Sequence, residues 1–178
     1  RGQIAEDLLE APAAPRPQGP RCESSAQRAG GRALRFWDSS AIASLCVSEP
    51  GSSAARAVLT EDPGLVVWWA TRTECVSAFV RRMREGDLAA AGERQARDVL
   101  EALAAVWTEV LPSGPLRASA ERLLAVHSLR AADAFQLAAA LVWCQGHPAG
   151  RALVTFDVRL VAAGGREGFA ILPEAEAR

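Results

Sequence analysis

Six consecutive apolar residues, Leu65 to Ala70 (L-V-V-W-W-A), follow the turn Asp62-Pro63-Gly64 and precede a helical pattern that begins near Thr71. The run has no polar alternate, so it predicts a strand covered on both faces. Covering both faces takes helices above and below the sheet, the arrangement of parallel strands joined by crossover helices.

The chain from Ala33 onward repeats that scheme. Ala33 to Trp37, Glu109 to Leu111, Ala152 to Phe156 and Phe169 to Leu172 read as further short strands. Helices are expected over Ala41–Val47, Ser52–Thr60, Thr71–Glu85, a stretch from about Asp87 to Trp107, Pro115–His127, Ala131–Gln145 and Asp157–Arg166. Gly86 and Gly146 supply stop signals, and Asp38-Ser39-Ser40 are N-cap residue types. The fold class is therefore α/β with a central, mainly parallel sheet of four or five strands.

Residues 1–32 do not fit the scheme. Ile4 to Ala11 reads as a short helix, but four prolines follow between Ala11 and Pro20 and a polar, Gly-rich run extends to Arg32. This segment is expected to be a flexible extension and residues 33–178 the folded domain.

Several chemistries are excluded by what is missing. The chain has no lysine; all 20 basic residues are arginine. That rules out a Walker-type phosphate loop and lysine Schiff-base catalysis. A net charge of -1 means that a nucleic-acid partner would have to be met by a local patch. The four cysteines, Cys22, Cys46, Cys75 and Cys144, form no C-x-x-C pair and read as reduced, mostly buried thiols of a cytoplasmic protein. No apolar stretch is long enough to span a membrane.

Four acidic residues fall at informative places. Asp38 follows the first strand and Asp157 a later one, while Glu74 lies in the first turn after Leu65–Ala70. In an open parallel sheet the carboxyl ends of the strands share one edge, where ligand sites form. Asp133 begins the apolar helix A-D-A-F-Q-L-A-A-A-L. Taken singly, Asp38 and Asp157 read as N-caps and Glu74 as a first-turn acid facing the helix dipole. Taken together, four carboxylates repel one another unless a cation joins them. Mg²⁺ and Mn²⁺ prefer such oxygen donors and activate water for phosphodiester hydrolysis.

The stretches F-W-D-S-S-A (36–41), T-E-C-V-S-A-F (73–79), L-R-A-A-D-A-F-Q-L-A-A-A-L (129–141) and L-V-T-F-D-V-R-L (153–160) resemble the PIN-domain nucleases. More narrowly they resemble VapC, the toxin of type II toxin–antitoxin modules. The resemblance spans about residues 33–173 and implies a three-layer α/β/α fold with a five-stranded parallel sheet. It also implies a Mg²⁺- or Mn²⁺-dependent endoribonuclease with Asp38, Glu74, Asp133 and Asp157 as catalytic metal ligands. Thr155, Ser39 and Ser40 match hydroxyl positions at the site edge. The implied partners are an RNA substrate, a cognate antitoxin and a second copy in a homodimer, with no membrane. Residues 1–32 depart from the family pattern and read either as an antitoxin-like arm or as a remnant of an over-long gene start or of cloning.

Arg72, Arg81, Arg82, Arg130 and Arg159 are candidates for gripping RNA phosphates, Arg72 and Arg130 foremost. His127 reads as a helix-end residue bordering the groove. Core packing is expected for Trp68, Trp69, Trp107 and Trp143, while Trp37 stays open. A haloacid-dehalogenase-type phosphatase would need a second Asp where Ser40 stands. Two other readings are an RNA-processing PIN nuclease that is not a toxin, and a non-catalytic PIN module that binds RNA or a partner. The last gains nothing from negative charge clustered beside phosphate.

Overall fold

The computed structural model describes residues 34–174. The extension expected over residues 1–32, with Cys22, lies outside the described residues, so the boundary drawn at residue 33 does too. The element order is β1 (Arg35–Trp37), α1 (Ser39–Cys46), α2 (Ser52–Glu61), β2 (Leu65–Trp68), α3 (Thr71–Glu85), α4 (Ala90–Ala104), β3 (Thr108–Val110), α5 (Gly114–Val126), α6 (Ala131–Trp143), β4 (Ala152–Val154), α7 (Val158–Glu167) and β5 (Ala170–Leu172).

The five strands form one sheet in the order β3-β2-β1-β4-β5, with every neighbouring pair parallel. β1 lies at the centre, and its direct neighbours are β2 and β4. Strand side chains alternate between faces, and β1 shows the consequence. Phe36 packs on one side with Leu116 and Leu123 of α5, Leu137 of α6 and Leu160 of α7. Trp37 packs on the other with Ile42 of α1, Ala55 of α2, Phe79 of α3 and Leu100 of α4. All four residues of β2 are buried, as a strand sandwiched between two helix layers requires. The result is the three-layer α/β/α architecture.

Local chemistry explains the element ends. Gly86 closes α3 at φ 84°, a left-handed conformation that costs glycine nothing. α7 contains Gly164 and Gly165, each about 1 kcal/mol worse than Ala in a helix. Close packing accounts for the first: a Cβ at Gly164 would sit 2.7 Å from Leu153 Cδ2 and 3.1 Å from Ile171 Cδ1. The missing side chain lets α7 lie close on β4 and β5.

A second device fixes the far end of α7. Glu167 accepts two hydrogen bonds from Arg122 of α5, at 3.1 and 2.8 Å, and meets His127 Nε2 at 2.7 Å. The Arg122 bonds, and then those from His127, hold the Glu167 carboxyl below its ordinary value, against an opposing effect of burial. A depressed folded-state pKa makes this clamp fully stabilising above the unfolded value of about 4.5 and loses it as pH falls through the folded value. Urea unfolding from pH 3 to pH 7 is expected to show wild-type protein more stable than Glu167→Gln near neutrality. The two curves should converge at the acid end.

The tryptophans divide differently from the expectation. Trp37 and Trp68 are core residues, at 0% and 6% exposure. Trp107, which follows α4, and Trp143 are partly buried. Trp69 is 54% exposed. The chain leaves the sheet after Trp68, and Trp69 stands in the turn before α3, edge-on to Trp68. Cys46, Cys75 and Cys144 are buried free thiols.

Candidate active site

The carboxyl ends of β1, β2 and β4 lead into the turns that carry Asp38, Glu74 and Asp157. Asp38 is the N-cap of α1 and is 2% exposed. Its Oδ1 accepts from Ser40 Oγ at 2.7 Å and from the Ala41 N–H at 3.2 Å. Burial nevertheless pushes its carboxyl up from 3.8 to about 6, outweighing the lowering by Ser40, Ala41 and Thr155.

Asp157 is the N-cap of α7, accepting from the Arg159 N–H at 2.7 Å and the Leu160 N–H at 3.2 Å. Thr155 supports the same turn, because its Oγ1 accepts from the Asp157 N–H at 3.1 Å. Asp133 lies in the first turn of α6, and its Oδ2 accepts from the Arg130 N–H at 3.0 Å. Glu74 lies in the first turn of α3, and its Oε2 accepts from Gln136 Nε2 at 2.7 Å.

These four positions are linked in a ring of contacts. Ser40 Oγ accepts from the Phe156 N–H at 2.8 Å, tying the Asp38 turn to the Asp157 turn. Arg159 Nε lies 3.1 Å from Asp133 Oδ2, and Arg159 Nη2 donates to Asp157 Oδ2 at 3.4 Å. One turn along α6 from Asp133, Gln136 reaches Glu74. Cys75 closes the ring: its Sγ donates to the Ser39 carbonyl at 3.5 Å. Burial, then Cys46, Asp38 and Glu74, raise the Cys75 thiol above its ordinary value.

The donor set is all oxygen, which fits Mg²⁺ or Mn²⁺. Asp38, desolvated and without a cationic partner among the described residues, is a carboxylate that a divalent ion would relieve. The acids are not drawn into a ready-made cage: among the described residues no three Asp, Glu, His or Cys side chains converge at metal-binding range. Asp133 and Asp157 instead turn oxygens to the Arg159 guanidinium.

No family model matches the chain, and no curated protein matches it in sequence. Solved structures do match it. VapC20 of Mycobacterium tuberculosis, described as a sarcin–ricin loop cleaving toxin, superposes with a TM-score of 0.55 at 20% identity, over 72% of this chain and 94% of that one. PAE2754 from Pyrobaculum aerophilum gives 0.55 at 20% identity, over 80% and 92%. FitAcB from Neisseria gonorrhoeae gives 0.54 at 16% identity, over 78% and 96%. The chain has the VapC-like PIN fold.

Within this PIN fold the remaining candidates separate. Arg72 is paired with Glu101, and Arg82 with Glu49. Arg130 is exposed at the N-cap of α6 and makes no ion pair among the described residues. Ser40 has a positioning contact on each side, whereas among the described residues Ser39 contributes only its carbonyl. His127 does not border the acids; it sits with Glu167 at the opposite end of α7 from Asp157, about 15 Å away along a ten-residue helix. No helix among the described residues is long and apolar enough to cross a membrane.

Sequence reasoning missed Gln136. It is 2% exposed, it bonds Glu74 and, at 3.3 Å, Thr71 Oγ1, and its Oε1 has no partner among the described residues. A buried amide with an unpaired oxygen beside acids is uncommon. The available signal was a lone Gln on an otherwise apolar helix, three residues after Asp133.

Proposed function

We propose that the chain is a divalent-metal-dependent endoribonuclease that acts as the toxin of a toxin–antitoxin pair. The observation that carries this reading is the ring of contacts that holds four carboxylates from four elements around one edge of the sheet, with Asp38 buried and paired with no cation among the described residues. The PIN fold shared with VapC20, a toxin that cleaves the sarcin–ricin loop, supports RNA as the substrate class.

Asp38, Glu74 and Asp157 would hold Mg²⁺ or Mn²⁺, with Asp133 completing the set. When bound, the ion supplies an activated water and charge neutralisation at the scissile phosphate. The protein's own part is positioning. Ser40 fixes the Asp38 carboxylate while gripping the Phe156 amide. Two backbone amides fix Asp157. Gln136 and Thr71 aim Glu74. Arg130 offers a guanidinium fork to the RNA backbone at the edge where Asp133 stands.

Incubation with structured and single-stranded RNA tests the reading. Cleavage should appear with Mg²⁺ or Mn²⁺ and vanish with a chelator; cleavage of equal rate in the chelator would refute it. Gln136→Leu should weaken Mn²⁺ binding by about 10–100-fold, the usual cost of losing a partner that orients a ligand. Calorimetric titration checks this, and unchanged affinity would show that Glu74 needs no such support.

A further inference from the structure

Arg159 is in an unusual place for a cation. It is the second residue of α7, at the end of the helix whose dipole favours negative charge. Its side chain folds back over that end, between Asp133 and Asp157, at 3.1 and 3.4 Å. The contact is also imperfect. Nε is buried, yet it makes no well-aligned hydrogen bond among the described residues. Arg122 differs: it grips Glu167 with two bonds, one to each carboxylate oxygen. Arg159 therefore meets Asp133 as a charge and Asp157 through one long hydrogen bond donated by its Nη2, rather than as a fitted two-bond fork.

We infer that Arg159 is a built-in counter-cation of the acid cluster: it neutralises Asp133 and Asp157 in the metal-free protein and competes with the divalent ion for them. The inference rests on the metal-dependent reading above and deepens it. Two roles follow for one side chain. Without metal, Arg159 keeps two carboxylates from repelling each other. With metal, its guanidinium is released at the cluster's edge, where a substrate phosphate is the next anion within its reach. Arg159 thus sets the metal affinity of the site, and it is a positioning residue rather than a ligand.

The test is a Mn²⁺ titration of the full chain, read by the electron paramagnetic resonance signal of free Mn²⁺, with wild type, Arg159→Gln, Arg159→Lys and Arg130→Gln. Arg159→Gln should bind Mn²⁺ about 10-fold more tightly than wild type, on the scale of other changes beside metal ligands. Arg159→Lys, which keeps the charge, should stay within a fewfold of wild type. Arg130→Gln reports the general effect of removing a nearby positive charge and should change affinity less than Arg159→Gln.

Melting supplies a second readout. Metal-free Arg159→Gln should melt lower than wild type, and saturating Mn²⁺ should restore most of the difference. Mn²⁺ binding by wild type with equal or weaker binding by Arg159→Gln overturns this inference and leaves the metal reading standing. Absence of Mn²⁺ binding in both overturns the two together. Should Arg159→Gln fail to fold without metal, Arg159→Lys decides: tenfold tighter binding by that variant would contradict competition by charge.

Discussion

Asp38→Asn is expected to reduce RNA hydrolysis by at least about 100-fold, the upper end of what losing a mere supporting partner of a metal costs. The protein itself should not suffer. Asn caps helices as well as Asp, and its carbonyl oxygen can accept from Ser40 and Ala41 as Oδ1 does now. The charge is what burial disfavours. With the Asp38 carboxyl raised from 3.8 to about 6, the folded protein holds that proton more tightly than the unfolded chain. The metal-free wild type therefore loses stability as pH rises between those values, by up to about 3 kcal/mol. Asp38→Asn removes that loss. Metal-free melting at pH 7.5 should place the variant at or above wild type, whereas an acid kept for structure alone would give a variant that is active and less stable.

Asp157 allows its two roles to be separated. Its carboxylate caps α7 through two backbone amides and also stands in the proposed ligand set. Asp157→Asn keeps a good cap and loses the charge, so activity should fall at least about 100-fold with little change in melting. Asp157→Ala should lose activity to the same extent and about 1 kcal/mol of stability as well. If Asp157→Asn cleaves RNA like wild type while Asp157→Ala merely melts lower, Asp157 is a cap and nothing more.

The fold was legible because its signals are local and repeated. Leu65–Trp68 has no polar alternate, and the structure buries all four residues between two helix layers. Asp38 and Asp157 are N-caps, as their types suggest, and topology alone carries those caps to one sheet edge. What was not legible depends on where a side chain turns after the backbone is set. Trp69 continues an apolar run, but the strand ends one residue earlier and leaves it half exposed. Gln136 and Arg159 follow acids by three and two residues, spacings that also occur by chance, and only the packing of α6 on α7 and the approach of α6 to the first turn of α3 at the sheet edge give them their partners. His127 misled for the opposite reason. Its closeness to Asp133 in sequence spans a turn that sends it toward Glu167 instead.

This edge of the sheet is expected to bind a divalent ion through its carboxylates. Anomalous X-ray scattering from crystals soaked in Mn²⁺ tests it directly. A peak is expected about 2.1 Å from oxygens of Asp38, Glu74 and Asp157, with the Arg159 guanidinium withdrawn from Asp133. Crystals that take up Mn²⁺ elsewhere, or not at all, with Arg159 still lodged between Asp133 and Asp157, would contradict it.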